Sequence, residues 1–182
     1  MWIDKIDKNW TLFLDRDGVI NERKIGAYVK SIKEFHFLPQ VEESIAYFSS
    51  VFQYIFVVTN QQGIAKGIMT ESNLLDIHRY MSEEIAKKGG RIDKCYFAPK
   101  LQSEDNKMRK PNSGMAFQAK EDFPDIDFSK SIMVGDMDSD ILFGKNLGMK
   151  TVRVKTHERI NIDADLTVNS LYNFREICEK QV

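Results

Sequence analysis

Cysteine is scarce in this chain. Cys95 and Cys178 stand 83 positions apart in 182 residues, and neither lies in a CxxC or CxxH setting. That excludes a disulfide framework and a zinc finger. An excess of charge of one sign is missing too: 26 lysines and arginines face 27 aspartates and glutamates, for a net charge of -1. A general nucleic-acid binder would be far more basic. No apolar run approaches the length of a membrane span. The opening MWIDKIDKNW is broken by acids and lysines and holds no apolar signal-peptide core. Internal repeats, low-complexity tracts and linkers are also lacking. What is present, 42% hydrophobic and 29% charged residues, suits a soluble globular protein of one domain spanning residues 1–182. A cytoplasmic location is expected, with no membrane or nucleic-acid partner.

Strand-like and helix-like segments alternate. The runs 10–14, 54–59, 95–98, 131–134 and 150–154 read as buried strands, YIFVVT being the clearest. Between them, 41–50, 113–121 and 139–146 read as helices. Residues 70–88 read as a longer one, with Thr70 as N-cap and Gly89-Gly90 as its stop. The tail 163–181 has room for a short strand and a closing helix. This alternation predicts an α/β fold, a doubly wound parallel sheet with helices on both faces in three α/β/α layers.

Four polar stations follow strands in this order. The first is Asp15-Arg16-Asp17-Gly18, directly after the run 10–14. One of its carboxylates is suited to attack a substrate or grip a metal, and the other to move a proton. The second, Thr59-Asn60-Gln61-Gln62-Gly63, offers side chains and turn amides to phosphate oxygens, although a plain polar turn explains it equally well. The third, Arg109-Lys110-Pro111-Asn112-Ser113, puts two cations before a helix and makes an anion seat. The fourth is Gly135-Asp136-Met137-Asp138-Ser139-Asp140. It places Asp136 after a strand and Asp140 one helical turn on, with Asp138 expected to cap that helix. Hard carboxylate oxygens from separate strand ends suit Mg2+. If the strands are parallel neighbours, all four stations open onto one crevice, and a divalent cation with Lys110 supplies the counter-charge.

With these stations in order, the chain resembles the haloacid dehalogenase superfamily. Within it the resemblance is to the subfamily of D-glycero-D-manno-heptose 1,7-bisphosphate and histidinol-phosphate phosphatases. FLDRDGVIN, the flap-like GAYVKSIKEFHFLP, TNQQGIAKG, MRKPNSGM and VGDMDSDI carry the likeness across residues 10–154. It implies a capless, Rossmann-like phosphatase that works through an aspartyl-phosphate. By position, Asp15 is then the nucleophile and Asp17 the acid and base. Asp15, the carbonyl of Asp17, and Asp136 hold Mg2+, and Asp140 orients their surroundings. Thr59 and Lys110 bind the transferring phosphoryl group. Asn60, Gln61 and Arg109 contact the substrate.

One departure from the subfamily concerns zinc. Many members bind it through three cysteines and a histidine before the RKP segment. Here only Cys95 matches, the others being Phe97, Asn106 and Met108. One thiolate cannot hold structural zinc, so no zinc is expected and Cys95 is read as a half-buried strand residue. The gaps of 42 residues from Asp17 to Thr59 and 51 from Thr59 to Lys110 leave no room for a cap domain. Selectivity then falls to the flap, residues 22–33, and the loop 99–109. The favoured activity is Mg2+-dependent hydrolysis of a small phosphorylated sugar, heptose bisphosphate above all, by a monomer. Histidinol-phosphate phosphatase, polynucleotide 3′-phosphatase and a non-catalytic phosphate-binding module are the alternatives. His36, His78 and His157 are read as structural or solvent-facing. The segment after Val154 is assigned no role.

Overall fold

The apolar runs become strands of a single sheet, the central ones buried along nearly their whole length because helices cover both of its faces. The computed structural model describes residues 2–104 and 107–181. Its elements in chain order are β1 (Thr11–Leu14), α1 (Val41–Val51), β2 (Tyr54–Asn60), α2 (Glu71–Lys87), β3 (Lys94–Ala98) and α3 (Gly114–Asp122). They continue with β4 (Ser131–Gly135), α4 (Asp138–Asn146), β5 (Lys150–Val154), β6 (Leu166–Val168) and α5 (Leu171–Glu179). Each expected segment is present, with ends that move by about a residue, and the tail supplies the strand and helix for which it had room.

The six strands lie in the order β3-β2-β1-β4-β5-β6, and every neighbouring pair is parallel. The chain winds outward from β1 to β3, crosses back through α3, and winds the other way from β4 to β6. The reversal falls between β1 and β4, the place where an open α/β sheet parts to form a crevice beyond its strand ends. Register brings the stations there. Leu14 is level with Val57 on one side and Val134 on the other, so Asp15, Thr59 and Asp136 emerge at the same end of the sheet.

Side-chain alternation divides the core in two. Leu12, Leu14, Ile55 and Val57 join the cluster that holds Phe48, Leu74, Ile77 and Phe174 of α1, α2 and α5. Phe13, Phe56, Val58 and Met133 join the cluster that holds Met115, Ala119 and Phe143 of α3 and α4. The result is the three-layer fold expected from the sequence. Between Asp17 and Thr59 the chain spends its length on a loop, α1 and most of β2; between Thr59 and Lys110, on α2 and β3. Among the described residues no cap domain lies in either stretch.

Local chemistry fixes the helix ends. Thr70 accepts from the amide of Asn73 (3.1 Å), and the Asn73 side chain accepts from the amide of Thr70 (2.9 Å), a reciprocal cap that starts α2. After α1, Arg91 donates to the carbonyls of Ser49 (2.5 Å), Phe52 (2.8 Å) and Gln53 (2.6 Å), satisfying acceptors that the helix end leaves open. Gly90 is required by close approach, since a Cβ there would lie 3.0 Å from the backbone nitrogen of Ala46.

Phe48 is fully buried, with ring centroids of Phe52 at 5.8 Å and Phe174 at 5.5 Å. Phe48→Ala is expected to lower unfolding free energy by about 3–5 kcal/mol, the cost of lost transfer energy plus a cavity, as read from urea denaturation.

Candidate active site

Lys110 is the centre of the crevice. Its side chain is 1% exposed, and its Nζ lies 2.7 Å from Asp15 Oδ1, 2.7 Å from Asp140 Oδ1 and 2.7 Å from the carbonyl of Val58. Three acceptors match the three protons of the ammonium group. Asn60 fixes the residue from behind: its side-chain oxygen accepts from the Lys110 amide (3.0 Å), and its Nδ2 donates to the Lys110 carbonyl (3.2 Å). The amide of Asn60 was expected on the substrate; the structure gives both of its ends to the backbone of Lys110 instead.

Asp15 follows β1 and donates its amide to Val134 of β4 (2.9 Å), which holds it at the point where the sheet reverses. Asp15, Asp136 and Asp140 each offer an oxygen within 4.8 Å of the others. Burial raises the pKa of Asp15 above the carboxylate range. Lys110 opposes this, and the charges of Asp140, Asp136 and Asp17 add to it. Asp136 is raised for the same reasons, burial first and Asp140 next, against Arg23 and Lys110. Lys110 is raised as well: burial pulls it down, but Asp140 and Asp15 outweigh that and keep the ammonium charged.

The grouping is therefore short of positive charge, with Lys110 and Arg23 facing three carboxylates. Asp136 Oδ2 accepts from Arg23 at 3.0 Å, while its Oδ1 is buried with no hydrogen-bond partner. An orphaned carboxylate oxygen beside two other carboxylates is a donor set that fits a hard divalent cation. Asp140 is placed differently from the other two. Its Oδ1 meets Lys110, and its Oδ2 accepts from the Met137 amide (3.0 Å), closing the start of α4. Asp138 was expected to cap this helix, and the structure corrects that. Met137 occupies the N-cap position, and the Asp138 carboxylate accepts from Arg153 (2.7 Å) and from Asn161 (2.9 and 3.1 Å).

Asp17 sits in a different setting. Arg16 Nη2 donates to both of its oxygens at 2.9 Å, Asn21 donates to Oδ1 (3.0 Å), and Gln61 donates to Oδ2 (2.8 Å). Burial would raise its pKa, but the Arg16 charge and these donors outweigh it and hold the pKa below the usual value. Gln61 also donates to Thr59 Oγ1 (2.9 Å), which leaves the threonine hydroxyl its own proton to give. Gly18, at φ +94, lets the chain turn. A Cβ there would lie 2.5 Å from Asp136 Oδ2, so glycine is needed for conformation and for space.

These residues line a cleft of about 810 Å³. Its walls are three loops. The flap closes at its root through Glu22 N to His36 O (2.9 Å) and Leu38 N to Ile20 O (2.9 Å). Its Tyr28 ring lies where a Cβ on Gly63 would come within 3.0 Å, and its hydroxyl accepts from Lys66 (3.0 Å). Arg109 enters from the second loop. Among the described residues its guanidinium has no ion-pair partner, its Nη1 is buried without a hydrogen bond, and burial lowers its pKa. The third wall, carrying Glu158 and Arg159, comes from the segment to which the sequence assigned nothing. Arg153 holds that loop through the carbonyl of Ile162 (2.8 Å) and grips the carbonyl of Asp136 (2.9 Å).

Sequence reasoning missed Arg16, Asn21, Arg23 and Arg153. The signal for Arg153 was present, an arginine inside a strand that is buried on both faces. His78 is buried, and Cys95 is half-buried with its thiol pushed up to about 12 by burial. Phe97 lies on β3 with Cys95, Met108 lies beside Arg109, and Asn106 falls outside the described residues.

A family model described as HAD-hydrolase-like matches residues 107–171. The D-glycero-alpha-D-manno-heptose-1,7-bisphosphate 7-phosphatase of Campylobacter jejuni is 41% identical over 152 residues, 84% of this chain and 86% of that protein. The chain belongs to the HAD-like hydrolases. A second HAD-like relative, the protein of the same name from Mycobacterium bovis, is 35% identical over 81% of this chain and 77% of its own length. The HAD-like fold recurs in the crystal structure of D,D-heptose 1,7-bisphosphate phosphatase from B. bronchiseptica, complexed with magnesium and phosphate. Its TM-score is 0.86 at 25% identity, covering 95% of this chain and 99% of that one.

In this HAD-like site the pairing of Lys110 with two buried carboxylates has a measurable consequence. Lys110→Met leaves Asp15 and Asp140 uncompensated and is expected to cost about 3–5 kcal/mol of stability, measured by urea unfolding in EDTA.

Proposed function

We propose that this HAD-like phosphatase hydrolyses D-glycero-D-manno-heptose 1,7-bisphosphate, removing the phosphate at C7. The observation that carries the reading is Asp15, held by Lys110 where β1 and β4 part, beside Asp136 and Asp17 in one cleft. The names of the relatives support the substrate and the position cleaved.

The roles are those that the family resemblance implies, and the geometry supports them. Asp15 attacks the phosphorus of the ester. The P–O bond to the sugar breaks, and the leaving oxygen takes a proton from Asp17. A water then attacks the aspartyl-phosphate and gives its proton to Asp17, releasing inorganic phosphate and restoring the Asp15 carboxylate. Lys110 and the free hydroxyl proton of Thr59 stabilise the phosphoryl oxygens as charge shifts among them. Gln61 orients both Thr59 and Asp17, and Asn60 holds Lys110, so these two act through neighbours. Asp15, the carbonyl of Asp17, and Asp136 would hold Mg2+, with Asp140 fixing Lys110 next to them. Bound there, the ion supplies the positive charge that lets an anionic carboxylate approach a phosphate dianion. Arg109 receives the phosphate that is retained, since among the described residues its guanidinium has no carboxylate partner and a buried Nη1 left to donate, which suits an anionic ligand. Every one of these groups comes from a single chain, which suits a monomer.

Phosphate release is the test, across both anomers of heptose 1,7-bisphosphate, histidinol phosphate and a 3′-phosphorylated oligonucleotide. The heptose substrate should be preferred, with turnover abolished by EDTA and restored by Mg2+. Asp15→Asn should lower kcat by at least about 10⁴-fold, as loss of a nucleophile does. Preference for another substrate overturns the substrate assignment. No turnover of any of them by folded protein with Mg2+ overturns the enzyme reading.

Arg109→Ala should raise KM for the bisphosphate by about 10–100-fold, the worth of a hydrogen bond to a charged group. It should leave KM for the corresponding 7-monophosphate little changed.

A further inference from the structure

A charged side chain inside a buried strand is costly. Arg153 of β5 is 2% exposed, and its neighbours Val152 and Val154 are buried with it. An apolar residue would fill the place with no charge to match. Its Nη1 donates to the carbonyl of Asp136 (2.9 Å), and its Nη2 to the Asp138 carboxylate (2.7 Å) and the carbonyl of Ile162 (2.8 Å). Its Nε is buried with no hydrogen-bond partner. A strand that keeps a buried and incompletely bonded guanidinium breaks the local rules of packing, and such breaches gather at functional sites.

The contact with Asp136 grips a peptide that is held on both edges. The Asp136 carbonyl and the Met137 amide belong to one planar unit. Arg153 donates to its oxygen, and its N–H donates to Asp140 Oδ2 (3.0 Å). From there Asp140 Oδ1 meets Lys110 Nζ at 2.7 Å, and Lys110 meets Asp15 at 2.7 Å. One hydrogen-bonded line therefore runs from β5, through the backbone of Asp136, to the carboxylate after β1. Its place in the chain explains the need. β4 ends at Gly135, whose ladder partner is Arg153, so Asp136 is the first residue beyond the strand. Gly135 has to lack a Cβ, which would collide with Asp140. With glycine before it and no ladder beyond it, Asp136 takes its direction from the plane of that one peptide.

We propose that Arg153 is a positioning residue for the cation site: by fixing the peptide between Asp136 and Met137 it keeps the Asp136 carboxylate beside that of Asp15, where the two can share a divalent ion. The proposal rests on the reading of Asp136 as a ligand of that ion given above. Taken alone, the charge of Arg153 opposes a cation nearby. Asp138 at 2.7 Å offsets it, so the contribution of the pair is geometric.

The test is binding of Mn2+, which shares the preference of Mg2+ for oxygen ligands, followed by loss of the free-ion EPR signal and by displacement with Mg2+. The variant to make is Arg153→Met together with Asp138→Asn. It removes both charges at once, so the net charge near the site is unchanged and no ion is left buried alone. Asp138→Asn also keeps an acceptor for Asn161. The Kd for Mn2+ should rise about 10-fold, as loss of a support behind a metal ligand costs, and the Mg2+ needed for displacement should rise in parallel. Arg153→Lys keeps the charge and loses the planar fork. It should weaken Mn2+ binding to a smaller degree, and it decides the matter where the double variant does not fold. Urea midpoints are read beside the binding, since a purely structural role would lower the midpoint and leave the Kd of the folded protein unmoved. An unchanged Kd overturns the positioning role. Asp136→Ala separates the two readings. If it abolishes Mn2+ binding while the Arg153 variants bind like the unsubstituted protein, only the positioning role falls. If it binds Mn2+ as tightly as the unsubstituted protein, the assignment of Asp136 to the ion falls, and the proposal with it.

Discussion

The arrangement depends on one ammonium group. Lys110 Nζ meets two carboxylates and a carbonyl at 2.7 Å each, and in doing so ties together β1, β2 and the start of α4. Without a cation there, Asp15 and Asp140 could not both be buried. The energetics of such a cluster are unfavourable when any member lacks a partner. This explains why the supports are so complete around Lys110 and stop short at Asp136, whose inner oxygen is left unmatched. The shortfall in positive charge is local, and it faces the cleft.

Fold and site are linked through sheet order. Because the winding reverses between β1 and β4, the carboxylates from those two strand ends are brought together without any long loop to carry them. Asp15, Asp136 and Thr59 sit directly after or within strands, so their backbones are fixed by the ladder and only side-chain torsions remain to be set. Hydrogen bonds from Gln61 to Thr59, from Lys110 to Asp15 and from Arg23 to Asp136 set them. The electrostatics diverge across a short distance. Asp15 and Asp136 are short of positive charge and pushed up, whereas Asp17 has a guanidinium of its own and is held down. Neighbouring carboxyl groups with opposite shifts are suited to different duties.

Much of this was legible in the residues. Strand runs such as YIFVVT, the cap at Thr70 and the four stations announce a parallel sheet and a phosphate crevice, since hydrophobic period and turn chemistry are local signals. What escaped the sequence was pairing across distance. Asn60 and Gln61 looked like ligands for substrate because free amides suit phosphate; in the structure they bond to Lys110, Thr59 and Asp17. Asp138 looked like a cap because it precedes a helix, and no periodicity reveals that Arg153 and Asn161 claim it. The partnership of Arg16 with His78 spans 62 positions and leaves no mark in either neighbourhood. The wall that carries Glu158 lay outside the likeness altogether.

The node formed by Arg153 and Asp138 has an evolutionary meaning. The loop 155–165 is suspended from it through Asn161 and Ile162, and the flap is pinned separately through Tyr28 and Lys66. Neither anchor uses a side chain that does chemistry. Substitutions in these rims can accumulate, and alter what the cleft admits, while the floor keeps its charges and distances. The scaffold thus lets substrate preference drift by small sequence steps while the reaction it performs stays constant.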